Sequence, residues 1–135
     1  MTTTNENTQG KMNYIYLMMD EKKNHCLFKI GFAKNLRKRI KSYTTHNPEC
    51  RCIGYAKTMR KTGRTIEQQF HNEIEQRKYS FVYAWIDWKK TEWFRVSYDD
   101  PFYKELKAKG IKAFKCGENR TDLGEYRVRK PEMEK

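Results

Sequence analysis

The chain has 135 residues, 37% apolar and 34% charged, and its 29 Lys and Arg against 17 Asp and Glu give a formal charge of +12. That length and composition fit one domain with a thin core and a heavily charged surface, and no apolar run nears the roughly 18 residues of a membrane span. The basic excess calls for an anionic partner, nucleic acid ahead of a membrane, because neither a broad apolar helix face nor a lipidation motif accompanies it.

Residues 1–12 are polar and Thr/Asn-rich, which predicts a disordered tail without the apolar stretch of a secretory signal. Residues 13–19 (N-Y-I-Y-L-M-M) are rich in β-formers and predict a first strand. A charged turn, D-E-K-K-N, separates it from a second strand over residues 25–32, so the two form a hairpin. Asn35 is a predicted N-cap for a helix running to about Thr44, with Leu36, Ile40 and Tyr43 as its apolar face. Arg39 and Tyr43 are i, i+4 neighbours on it. Asn47-Pro48 stops that helix, and residues 50–59 predict a third strand. A second helix is expected over residues 64–77 or from a turn earlier, with Thr65 and Gln68 at capping-box spacing and Ile66, Phe70 and Ile74 as its apolar stripe. Residues 81–87 and 92–96 read as late β or loop elements that pack aromatic rings. Pro101 after Asp99-Asp100 opens a last helix that ends at Gly110. Residues 116–135 are charged and poor in aliphatics, which predicts a mobile tail and leaves residues 13–115 as the domain.

Of the four cysteines, Cys50 and Cys52 alternate on one predicted face with His46 nearby; with no second pair to complete a metal site, reduced buried thiols in a cytoplasm are favoured over zinc. The chemistry-bearing residues lie elsewhere. Hydrolysis of a phosphodiester needs an activated water, stabilisation of the phosphoryl oxygens and, in most cases, a divalent metal. A tyrosine, a fixed arginine and an isolated glutamate can serve those needs, and Tyr16, Arg39 and Glu67 come from a strand and two helices. Each has an ordinary alternative: a strand aromatic, a solvated helix cation, and an acid stabilising its helix dipole.

Tyr14-Ile15-Tyr16, Lys29-Ile30-Gly31 and the eight-residue step to Arg39 resemble the GIY-YIG nuclease superfamily. Within it the chain is most similar to a phage-type branch named after an open reading frame of bacteriophage T5. That branch shows K-I-G, a later E-x-x-x-H (here Glu67 and His71) and a trailing E-W-F (Glu92-Trp93-Phe94). The resemblance implies an α+β fold with a small three-stranded antiparallel sheet flanked by helices. It also implies metal-dependent DNA cleavage at a single site. Tyr16 would position the attacking water, Arg39 would stabilise the phosphoryl charge, and Glu67 would hold one Mg²⁺ or Mn²⁺. Tyr43 stands where several relatives carry His or Tyr, and His71 would assist proton transfer or bond to Glu67.

Two departures stand out: Tyr14 replaces the first motif's glycine and Lys29 replaces the second motif's tyrosine. Lys29 either lowers the pKa of Tyr16 by its charge or contacts phosphate in a domain that binds without cutting. Lys34, Arg37, Lys38, Lys41 and Arg64 are the candidate DNA contacts. The alternatives to a nuclease are a nucleic-acid-binding module on the same fold, and an inhibitor or adaptor using exposed aromatics near Trp85, Trp88 and Trp93. A homodimer is one way for a single-site nuclease to cut both strands. A phage-encoded protein would work in the host cytoplasm.

Overall fold

A computed structural model describes residues 12–86, 89–118, 120 and 126–128; of residues 60, 61, 84–89 and 126–128 no side chain is described. Six strands form one antiparallel sheet in the order β4-β5-β2-β1-β3-β6. They are β1 (Met12–Glu21), β2 (Cys26–Ala33), β3 (Arg51–Met59), β4 (Phe81–Ile86), β5 (Lys89–Val96) and β6 (Tyr126–Val128). The helices are α1 (Leu36–His46), α2 (Arg60–Gln76), α3 (Pro101–Lys109) and α4 (Lys115–Glu118), with a 3₁₀ turn over Gly110–Ala113. No helix among the described residues is long and apolar enough to cross a membrane.

β1 lies inside the sheet and is covered on both faces, so its sequence is a continuous apolar run rather than an alternation. Ile15, Leu17 and Met19 face one side, where Ile66, Phe70 and Ile74 of α2 and Phe102, Leu106 and Phe114 complete the larger core. Tyr16 and Met18 face the other, with Tyr43, Trp93, Leu36 and Ile40. The hairpin, the predicted Asn35 cap (its Oδ1 accepts from Lys38 N at 3.0 Å) and the Asp100–Pro101 start of α3 are as the sequence indicates.

The structure corrects some of these expectations and sharpens others. The α+β class with an antiparallel sheet holds, but the sheet has six strands among the described residues, not three. The aromatic stretch after α2, expected as β or loop, is a full hairpin, β4–β5, whose rings alternate into the two cores. Residues 116–135 contribute most of α4, and β6 pairs with β3; the remainder of that stretch and residues 1–11 lie outside the described residues. The helix α2 takes the earlier start, at Arg60, where β3 runs directly into it, so Thr65 and Gln68 sit inside the helix and do not cap it. Finally, Trp93 is 5% exposed and packs edge-on against Tyr43, so it offers no surface for a partner. Trp88 and the side chain of Trp85 are not described.

Glu73 ties α2 to the C-terminal part. Its carboxylate accepts from the backbone N–H of Lys115 and Cys116, at 2.9 and 3.1 Å, and from Arg77 Nε at 2.9 Å. Burial alone would raise its pKa, but these hydrogen bonds outweigh that and hold it below the ordinary carboxylate value. A depressed folded-state pKa contributes stability above the unfolded value, near 4.3, which is lost as pH falls through the folded one. Glu73→Gln should therefore cost about 2 kcal/mol at pH 7. The gap between its melting temperature and the wild type's should close as pH is lowered below about 4, and a gap constant down to pH 3 would refute the role.

Candidate functional site

The site is built across the β1–β2 ladder. Tyr16 and Gly31 are direct partners in that ladder, and a Cβ on Gly31 would fall inside the Tyr16 ring. The ring therefore lies over bare backbone, and its hydroxyl meets that of Tyr43 on α1 at 3.1 Å. Arg39, one turn before Tyr43, also reaches the Tyr43 hydroxyl. Lys29, two residues before Gly31 on the same face of β2, is only 9% exposed.

Glu67 and His71 come from α2, on the opposite face of the sheet. They reach the site because the sheet is open at one place. The β2–β5 ladder covers only Cys26–Phe28, so beyond Phe28 no described strand is paired with the β2 edge. Gly63, Glu67 and His71, spaced i, i+4 and i+8, form one stripe of α2 along that edge. At its start, a Cβ on Gly63 would fall inside the Phe32 ring. At its end, His71 Nε2 lies 3.3 Å from the carbonyl oxygen of Ile30; a carbonyl can only accept, so that nitrogen donates. Glu67 lies between the two anchors along the helix and acts electrostatically on Tyr16.

The electrostatics bind these groups into one cluster. Burial pushes the Tyr16 phenol well above its ordinary value, Tyr43 and Glu67 add to the rise, and Arg39 opposes it. Desolvation dominates and the phenol stays protonated, so the alternative in which Lys29 lowers its pKa gains no support. Burial likewise raises Tyr43, against the pull of Tyr16 and Arg39. Burial lowers Lys29, while Glu67 and Glu92 hold its proton and Arg39 repels it. Burial raises Glu67, and His71, Lys29, Arg64 and Arg39 all pull it back. The result is two neutral hydroxyls beside one carboxylate ringed by cations, an arrangement suited to a phosphodiester.

The structure thus gathers Tyr16, Lys29, Arg39, Tyr43, Glu67, His71 and Arg64 at one place. It does not gather the other expected DNA contacts there. Lys34, Arg37 and Lys38 line a separate groove with Tyr14 and Tyr55, and Lys41 is an exposed residue of α1. The buried thiols of Cys50 and Cys52 stand apart, and His46 Nδ1 turns back to the Ser42 carbonyl at 3.0 Å. No group of three or more His, Cys, Asp or Glu among the described residues could hold a metal by itself. Sequence reasoning missed Gly63 and Tyr55. The glycine had a signal, since it lies one turn before Glu67 and two before His71.

The close approach of Tyr16 and Gly31 has a measurable cost. Gly31→Ala should destabilise the wild type by about 1–3 kcal/mol through overpacking. In a Tyr16→Ala background the same change should cost almost nothing, so a double-mutant cycle by denaturant unfolding should show coupling. Additive effects would mean that the ring and the glycine do not constrain each other.

The comparisons with known proteins add a family. The T5orf172 domain matches residues 13–109, a span that holds every residue of this cluster. No curated protein and no solved structure matches the chain. With most of its length covered by that match, the chain belongs to the T5orf172 domain family.

Proposed function

We propose that the chain is a GIY-YIG-type DNA endonuclease that nicks one strand at the Tyr16 cluster. The observation that carries this reading is the convergence of Tyr16, Lys29, Arg39 and Glu67, from four elements, around the bare backbone of Gly31. The T5orf172 family is associated with nuclease and DNA-binding functions, which supports it.

In this reading Arg39 and Arg64 draw the scissile phosphate into the cluster. Arg39 neutralises charge that develops on its oxygens. The Tyr16 hydroxyl, kept protonated by burial, orients the attacking water as a hydrogen-bond partner rather than as a phenolate. Lys29 stands in for the second tyrosine of the superfamily pattern, and burial makes its proton easier to release than that of an ordinary lysine. His71, anchored on Ile30, keeps Glu67 aligned along the β2 edge.

A divalent cation fits this donor set only with substrate present. Mg²⁺ sites commonly use one or two carboxylates plus substrate phosphates and several waters. Glu67 supplies the one carboxylate, while the surrounding cations disfavour a metal until a phosphate arrives. When bound, Mg²⁺ or Mn²⁺ would polarise a phosphoryl oxygen and make its bound water a better nucleophile. One site cuts one strand, so a double-strand break would need a homodimer or a second encounter.

A specific observation favours the second reading, a module that binds nucleic acid without cutting. Lys29 is a buried cation where the superfamily pattern has a hydroxyl, and Arg39 and Arg64 are near the same carboxylate. A supercoiled-plasmid nicking assay decides between the two. Wild type should convert supercoiled to open-circular DNA with Mg²⁺ or Mn²⁺ and not with EDTA. Arg39→Ala and Glu67→Gln should each lower the rate by about 100-fold or more. Salt-sensitive DNA binding with no metal-dependent cutting of either the plasmid or single-stranded DNA would establish the binding module instead.

A further inference from the structure

A groove of about 730 Å³ lies beside the cluster, lined by Tyr14 of β1, Tyr55 of β3, and Lys34, Leu36, Arg37 and Lys38 at the start of α1. Tyr14 is two residues before Tyr16 on the same face of β1, about 7 Å along the strand. The groove therefore adjoins the cluster. The rings of Tyr14 and Tyr55 meet edge-on, with centroids 6.1 Å apart and planes at 67°.

Cross-strand packing accounts for that contact between the rings. It does not account for two half-buried tyrosines lining a groove whose three cations are exposed. A flat aromatic face beside a row of cations is complementary to a planar base that carries a phosphate on either side. Paired bases inside a duplex have both faces covered by their neighbours. Only an unpaired nucleotide can present one.

We infer that this groove holds an unpaired nucleotide of the DNA strand next to the Tyr16 cluster. Its base stacks on Tyr14, against which Tyr55 sits edge-on, and its phosphates are held by Lys34, Arg37 and Lys38. The inference rests on the reading of that cluster as a DNA-cutting site and narrows its substrate to DNA that is single-stranded at or beside the cut. Tyr14, at the position of the first motif's glycine, then selects the substrate.

The test measures binding in EDTA, where no cutting confuses it. Fluorescence anisotropy compares a labelled oligothymidylate with a hairpin duplex of the same length. The wild type should prefer the single strand. Tyr14→Ala should lower the ratio of single-strand to duplex affinity by about tenfold, while Tyr14→Phe keeps it. A 2-aminopurine base in the oligonucleotide should be quenched on binding to wild type and not to Tyr14→Ala. Arg37→Gln, an exposed change that keeps the test alive if Tyr14→Ala does not fold, should reduce the salt slope of single-strand binding by about 0.7. Equal affinity for both DNAs, or an equal loss for both in Tyr14→Ala, would overturn the inference. So would a loss in Tyr14→Phe as large as in Tyr14→Ala, or an unchanged salt slope in Arg37→Gln. Strand-selective binding without any metal-dependent cutting would refute only the nuclease reading. Nicking of fully paired DNA with no strand preference in binding would refute only this inference.

Discussion

The whole arrangement depends on one close approach, the Tyr16 ring lying on the backbone of Gly31. No other residue at position 31 leaves room for it. The contact fixes the ring against its own strand partner and delivers its hydroxyl to Tyr43. A second ring-on-glycine contact, Phe32 on Gly63, sets how far α2 slides along the sheet. With His71 fixed on Ile30 one turn beyond Glu67, the carboxylate has little choice of height. Two glycines and one imidazole thus bring groups from opposite faces of a sheet into one cluster.

Burial acts on every member of that cluster in the same direction, towards its neutral form. It raises the two phenols and the carboxylate and lowers the lysine. The attraction between Lys29 and Glu67 resists this. A phosphate entering from solvent would add negative charge beside Lys29, Arg39 and Arg64 and stabilise their charged forms. The ligand completes an electrostatic balance that the protein leaves short of anions, in keeping with the excess of basic residues along the whole chain.

Much of this was legible in the sequence because the signals were local. Asn35 and Asp100–Pro101 announce their helices by caps whose chemistry acts within three residues. The β1–β2 hairpin follows from a polar turn between two apolar runs. The start of α2 was legible only to within a turn. Gly63 reads as a helix breaker, and only the ring of Phe32, distant in sequence, explains why it stands inside a helix. The β4–β5 hairpin was half legible, since its aromatic residues alternate between two cores that do not exist until the sheet is assembled. The sign of the Tyr16 shift was illegible for the same reason: charges can be counted in a sequence, but desolvation depends on what is packed around the group. Lys34, Arg37 and Lys38 were recognised as basic, yet their separation from the cluster follows from a diagonal ring pair that depends on strand register.

The short ladder between β2 and β5 carries a hazard as well as a function. Open strand edges are templates on which another chain can add a strand, the first step of domain swapping and aggregation. Here the edge beyond Phe28 must stay bare for Glu67 to pass beside it. His71 occupies the Ile30 carbonyl and so removes one of the acceptors that an intruding strand would use. The same imidazole that aligns the carboxylate acts as a gatekeeper against self-association.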